Sequence, residues 1–165
     1  MHNFNWYVAG PWLDRPNVRE IITKIEAAGY QTCSRWAEID NPDVAEDDPE
    51  RVQKLRDQAM RDVEDVIMAD GLIYVNSLKS EGKATELGIS IAMLKPIIII
   101  GGRETNIFLN INIPAYPTIE EALEWLKDEG MAYIAWVTEQ RMTHLQRMGS
   151  TVVPHSIADM VFPSE

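Results

Sequence analysis

Apolar residues in this chain fall into two alternating patterns, short continuous runs and stripes spaced by three or four, and the alternation predicts strand after helix. Residues 4–9 (Phe-Asn-Trp-Tyr-Val-Ala) read as a first strand ended by Gly10-Pro11. Asp14 is placed to cap a helix with Pro16 in its first turn, and Val18, Ile21, Ile22, Ile25 and Ala28 form one stripe. Gly29 stops that helix, and a short strand over 30–33 follows. A second stripe, Val52, Leu55, Ala59, Val63 and Val66, predicts a helix over about 49–69. Residues 71–75 read as a third strand and 85–94 as a third helix, on whose wheel Leu87, Ile91 and Leu94 face the sheet. The four isoleucines of 97–100, in a strand over 96–100, indicate burial on both faces. A short strand over 115–117 leads into a helix over 118–127, where Thr118 and Glu121 have the spacing of a capping box. Beyond Gly130 a further helical pattern sets Ile134, Val137, Arg141, Leu145 and Met148 on one side.

Such alternation implies the α/β class: a Rossmann-like or flavodoxin-like open, mostly parallel five-stranded sheet with helices on both faces. Right-handed crossovers then gather the loops 10–15, 34–48, 76–83 and 101–112 at the carboxyl ends of the strands. Residues 1–129 are expected to form the α/β domain. Residues 130–165 are expected to be a helical extension and tail that packs on that domain or on a partner subunit.

Composition narrows the function. At 165 residues, 45% of them hydrophobic, the chain suits one domain with a full core. One cysteine, Cys33, allows no internal disulfide or thiolate cluster, and three histidines make a histidine-rich metal site an unsuitable reading. No apolar run approaches the roughly 20 residues that span a bilayer, so no membrane partner is expected. The first residues lack the features of a signal peptide, so the expected compartment is the reducing cytoplasm. A formal net charge of −11 argues against nucleic acid as a partner. Much of that charge lies in residues 38–50, read as a solvated loop or as a flap over a site.

Chemistry concentrates in Ser80-Glu81-Gly82-Lys83-Ala84-Thr85-Glu86-Leu87-Gly88, a small-residue turn running into a helix. With the helix starting at Thr85, Glu86 lies in its opening turn, where the helix dipole favours a carboxylate. A carboxylate there can attack an anomeric carbon. Asp62 projects within about 20° of Leu55, at the edge of its stripe, and a half-buried acid can protonate a leaving base. Glu64 and Asp65 point further out. Tyr7, near the end of the first strand, can hold the nucleophile by a hydrogen bond, and Trp12 can stack on a planar base. Taken singly, each has an ordinary structural explanation: a helix-start glutamate, an edge-of-stripe acid, a core tyrosine, a packing tryptophan.

Taken in order, Tyr7-Val8-Ala9-Gly10-Pro11-Trp12, the Asp62 helix with Ala69-Asp70-Gly71-Leu72-Ile73, and Glu86-Leu87-Gly88 with Lys95-Pro96 resemble the nucleoside 2-deoxyribosyltransferase family. That family includes the deoxynucleoside 5′-monophosphate N-glycosidases. The resemblance runs over roughly 4–126. It implies that Glu86 attacks C1′ and forms a glycosyl-enzyme, that Asp62 assists departure of the base, and that Tyr7 orients Glu86. It also implies that Gly10, Trp12, Ser80, Gly82 and Asn106 bind the substrate, a small nucleoside or nucleotide. Residues 103–108 resemble a family segment that reaches a neighbouring active site, so a homo-oligomer, dimer or higher, is implied. No metal or organic cofactor is implied, because both steps are carboxylate chemistry.

Two departures leave the reaction open. Transferases commonly carry an aspartate six residues before the nucleophile, where this chain has Ser80, as the monophosphate hydrolases do. Those hydrolases also use a serine and an arginine after the first strand, where this chain reads Pro11-Trp12-Leu13, with Arg15, Arg19 or Lys83 available as substitutes. Transfer and hydrolysis, nucleoside and monophosphate, ribose and deoxyribose all stand at this point. A non-catalytic nucleotide-binding or sensor protein on the same fold is the alternative from another class. A cytokinin-activating phosphoribohydrolase would need Pro-Gly-Gly and Gly-Thr motifs that residues 80–86 lack.

Overall fold

In the computed structural model, which describes residues 4–39, 48–103, 108 and 113–147, the apolar runs pair as one sheet of five strands. These are β1 (Asn5–Ala9), β2 (Gln31–Thr32), β3 (Gly71–Val75), β4 (Ile97–Ile100) and β5 (Ala115–Tyr116). Their order is β2-β1-β3-β4-β5 and every pairing is parallel. The expected α/β fold is met, with the flavodoxin-like strand order. Isoleucines 97–100 are all buried, as the apolar run predicts.

The order in which strands are added to the sheet reverses at β1, which makes the carboxyl edge between β1 and β3 the place where this topology opens a crevice. Two helices cover each side. On one, α1 (Arg15–Ala27) packs on α4 (Ile119–Trp125); on the other, α2 (Arg51–Met68) packs on α3 (Glu81–Ala92). A π-helical turn, Leu126–Gly130, joins α4 to α5 (Met131–Arg147). Helix α5 contacts the sheet through Ile134, buried in the core, and through Tyr133, whose hydroxyl donates to the carbonyl of Ile97 at 3.1 Å.

Local chemistry explains the boundaries. Gly29 takes φ +92°, the left-handed conformation that ends α1. Asp14 stands at the start of α1 but makes no capping bond; its carboxylate accepts instead from the Asn17 amide. Thr118 does cap α4, accepting the N–H of Glu121 at 3.3 Å and donating to the Glu121 carboxylate. The end of α2 rests on the buried ammonium of Lys95, which donates to the carbonyls of Ile67 and Ala69. Burial, reinforced by the Arg141 charge, pulls that ammonium down to about 8.

Two further expectations change. Helix α2 has 18 residues, about 27 Å of helix, against about 16 Å for a five-residue strand. Its first half therefore overhangs the carboxyl edge, and Val52 and Leu55 of the expected core stripe are 72% and 42% exposed, while Val66 at the far end is buried. Helix α3 starts at Glu81 rather than Thr85, because Ser80 caps it by accepting the N–H of Lys83 at 3.4 Å. Its buried face is Lys83, Leu87 and Ser90 rather than Leu87, Ile91 and Leu94; Leu94 lies beyond the helix end with φ +51°.

Candidate active site

β1 supplies the floor of the site. Because β2 is only two residues long, the upper part of β1 lacks a neighbour strand on that edge. Side chains take its place: Ser34 Oγ accepts the N–H of Val8 at 2.6 Å, and the Trp36 indole donates to the Val8 carbonyl at 3.1 Å. The edge is thereby satisfied and Trp36 is fixed near Trp12, ring centroids 6.2 Å apart. The Arg15 guanidinium lies 4.4 Å over the Trp12 ring.

Tyr7 is fully buried on β1, and its hydroxyl donates to Glu86 Oε1 of α3 at 2.6 Å. The other oxygen, Oε2, is shielded from solvent with no partner among the described residues. Burial pushes the Glu86 carboxyl up to about 7; the Tyr7 bond and the charge of Lys83 oppose this, and the charge of Asp62 adds to it. Asp62, half-buried on α2, is pushed up to about 6 by burial and then by Asp65. Tyr7 is held protonated above the ordinary phenol range by burial and then by the Glu86 charge. The structure thus brings together the three residues singled out from the sequence, within electrostatic reach of one another, at the β1–β3 switch point.

The means of holding Glu86 differ from expectation. With α3 starting at Glu81, Glu86 is its sixth residue, past the first turn where the dipole acts. Asp65 also differs: it is 7% exposed, because Arg35 reaches it with Nε at 2.8 Å and Nη2 at 2.7 Å. A helical wheel shows only the direction in which Asp65 leaves its own helix. The residue that covers it comes from a turn, Arg35–Glu38, that the wheel does not contain.

The remaining expected site residues are dispersed around this group. Gly10 lies where a Cβ would stand 2.4 Å from Val18 Cγ2, so its lack of a side chain admits α1. Gly82 is exposed in the first turn of α3, beside the cap Ser80. Asn106 lies outside the described residues. All three cations available to a phosphate bind main-chain carbonyls: Arg15 that of Ile39, Arg19 that of Ala37, and Lys83 those of Val75 and Leu78. A cavity of about 240 Å³ on the far side of the β3–β4 crest, lined by Asn17, Lys24, Asn76, Ser77 and Thr118 among others, shares no residue with the Tyr7–Asp62–Glu86 group. No helix among the described residues is long and apolar enough to cross a membrane.

No protein-family model and no curated protein matches the chain. Among solved structures it is similar to the 2-deoxyribosyltransferase of Bacillus psychrosaccharolyticus, described as a biocatalyst for nucleoside synthesis. The identity is 19% and the TM-score 0.52, over 72% of this chain and 90% of that one. It is also similar to a conserved protein from Enterococcus faecalis V583, with 16% identity and TM-score 0.53, over 77% of this chain and 99% of that one. At this identity the likeness is one of fold: the chain has the Rossmann-like fold of the 2-deoxyribosyltransferase.

Proposed function

We propose that the protein cleaves or transfers at the N-glycosidic bond of a nucleoside through a covalent glycosyl-Glu86 intermediate. The observation that carries this reading is the Tyr7–Glu86 hydrogen bond, which occupies Oε1 and leaves Oε2 without a partner among the described residues, with Asp62, pushed up to about 6, within electrostatic reach. Oε2 attacks C1′ and the C1′–nitrogen bond breaks, its electron pair leaving with the base, which takes the proton of Asp62. Asp62, now ionised, removes a proton from the incoming nucleophile, which attacks C1′ and frees Glu86. A second base as nucleophile gives transfer; water gives hydrolysis. Tyr7 keeps its proton throughout and holds the carboxylate in register.

The substrate is read as a nucleoside rather than its 5′-monophosphate. Arg15, Arg19 and Lys83 are engaged with main-chain carbonyls, and the net charge of −11 further disfavours an anion. The fold likeness to a nucleoside-synthesising enzyme agrees with this class.

The test is to incubate the protein with ribo- and deoxyribonucleosides and their monophosphates, follow free base by chromatography, and search for a sugar adduct on Glu86 by mass spectrometry. Base release that survives Glu86→Ala removes the nucleophile assignment. Binding of nucleosides with no release from any of them favours the non-catalytic nucleotide-binding reading. A second free base separates transfer, which yields a new nucleoside, from hydrolysis, which yields free sugar.

A further inference from the structure

Lys83 is the most deeply buried cation among the described residues, 2% exposed in the first turn of α3. Taking an ammonium out of water costs several kcal/mol unless its protons are satisfied. Here its Nζ donates to the carbonyl of Val75 at 3.1 Å and to that of Leu78 at 2.7 Å, and lies 4.6 Å from the centre of the Tyr74 ring. Val75 is the last residue of β3, and Leu78 lies in the loop between β3 and α3. One side chain therefore binds the end of the strand, the loop and the start of the helix. An apolar side chain could fill the same space without burying a charge, so the charge itself calls for an explanation.

The position of Lys83 supplies one. Glu86 follows it by three residues, a spacing that puts both on one side of the helix. Since α3 begins at Glu81, the helix dipole acts too far back to hold the Glu86 charge. The groups facing Glu86 are Tyr7 from β1, Asp62 from α2 and Lys83 from its own helix; Asp65, with its partner Arg35, stands behind Asp62. Among these only Lys83 brings a positive charge to bear on Glu86 directly. Its field lowers the carboxyl, opposing burial and Asp62.

We propose that Lys83 is a positioning residue for the nucleophile: its ammonium, fixed by Val75, Leu78 and Tyr74, locks the start of α3 and sets a positive charge one turn before Glu86, where the helix dipole does not reach. The role rests on the reading of Glu86 as nucleophile, but the electrostatic hold can be measured without turnover. Lys83→Gln keeps a donor for the carbonyls and removes the charge; Lys83→Arg keeps the charge.

Titration of the Glu86 side-chain carboxyl by NMR, with 13C-labelled glutamate and Glu86→Gln to assign the signal, reads the effect directly. In Lys83→Gln the midpoint is expected to rise by about one pH unit, and in Lys83→Arg to stay near that of the native chain. Base release at pH 6 is expected to fall about tenfold in kcat for Lys83→Gln, with KM unchanged and the loss narrowing to about twofold by pH 8. An unmoved Glu86 midpoint in a folded Lys83→Gln protein, its fold checked by circular dichroism, overturns the proposal. A midpoint that moves in a protein with no base release upholds the electrostatic hold and counts against the glycosidic reading alone. Should Lys83→Gln not fold, the same titration on Lys83→Met decides in the same way.

Discussion

Tyr7 and Glu86 stand 79 residues apart in the chain and share a 2.6 Å hydrogen bond from phenol to carboxylate. The bond lowers the Glu86 carboxyl against burial, so its removal has two separable effects. In Tyr7→Phe, kcat is expected to fall about 10- to 100-fold, since a bond to a charged group contributes about 1.5–3 kcal/mol. The basic limb of the rate profile is expected to move to higher pH, because the carboxylate loses the donor that favours its charge and Glu86 is the higher-titrating member of the pair with Asp62. Steady-state base release across pH checks both. An unchanged kcat with an unmoved limb would exclude Tyr7 from the mechanism.

Asp62 and Glu86 set the pH range. The reaction needs Glu86 ionised and Asp62 protonated, yet they are pushed up to about 7 and about 6 respectively, so the competent form is the minority one. Near the optimum, around pH 6.5, it is on the order of 5% of the protein. The profile of kcat/KM is expected to be a bell whose apparent limbs near 6 and 7 belong to the pair. In Asp62→Asn the falling basic limb disappears, and the remaining acid limb reports Glu86 alone, somewhat below pH 7 because the Asp62 charge no longer opposes its ionisation. A descending limb that persists in this variant assigns the proton to another group.

How much of this was legible in the sequence follows from how local each cause is. The strands read correctly because four isoleucines or Leu-Ile-Tyr-Val leave no polar face, and Gly29 and Thr118 punctuate helices by their own backbone chemistry. The start of α3 was misplaced because Ser80 and Gly82 read as loop, whereas the cap of Ser80 and the inward reach of Lys83 make those residues the first turn. The burial of Asp65 depends on Arg35, 30 positions away, and the exposure of Val52 on the shortness of strands it never touches. The order Tyr7, Asp62, Glu86 was readable; the separation of Oε1 and Oε2 into a held and an unheld oxygen was not.

Stability carries its own signature of Glu86. Its carboxyl is raised from 4.5 to about 7 in the folded chain, so the folded state holds the proton more tightly than the unfolded one. The contribution to stability is full below about 4.5 and is lost as pH rises through about 7. Asp62, raised from 3.8 to about 6, acts with the same sign in an overlapping window, so the native chain must be compared with Glu86→Gln. Between pH 5 and pH 8 the stability of the variant relative to the native chain is expected to grow by about 1–3 kcal/mol. Urea unfolding at the two pH values measures it. A native chain that gains on the variant with rising pH would contradict the burial of an unfavourable charge.

Gly10 tests whether the first loop is built for packing or for a ligand. A methyl group there would lie 2.4 Å from Val18 Cγ2, and Val18 is fully buried near the start of α1. Neither β1 nor a branched valine can yield by that much, so Gly10→Ala is expected to cost about 1–3 kcal/mol. The melting midpoint should fall by about 3–10 °C. Trp12 follows two residues later and is held by Arg15 and Trp36, so displacement of this turn also weakens the wall offered to a base. Adding Val18→Ala vacates the contested space, and the double variant should recover part of the stability lost to Gly10→Ala, a coupling that a thermodynamic cycle isolates. If Gly10→Ala instead keeps native stability and loses only affinity for nucleosides, the glycine serves the approach of a substrate rather than that of α1.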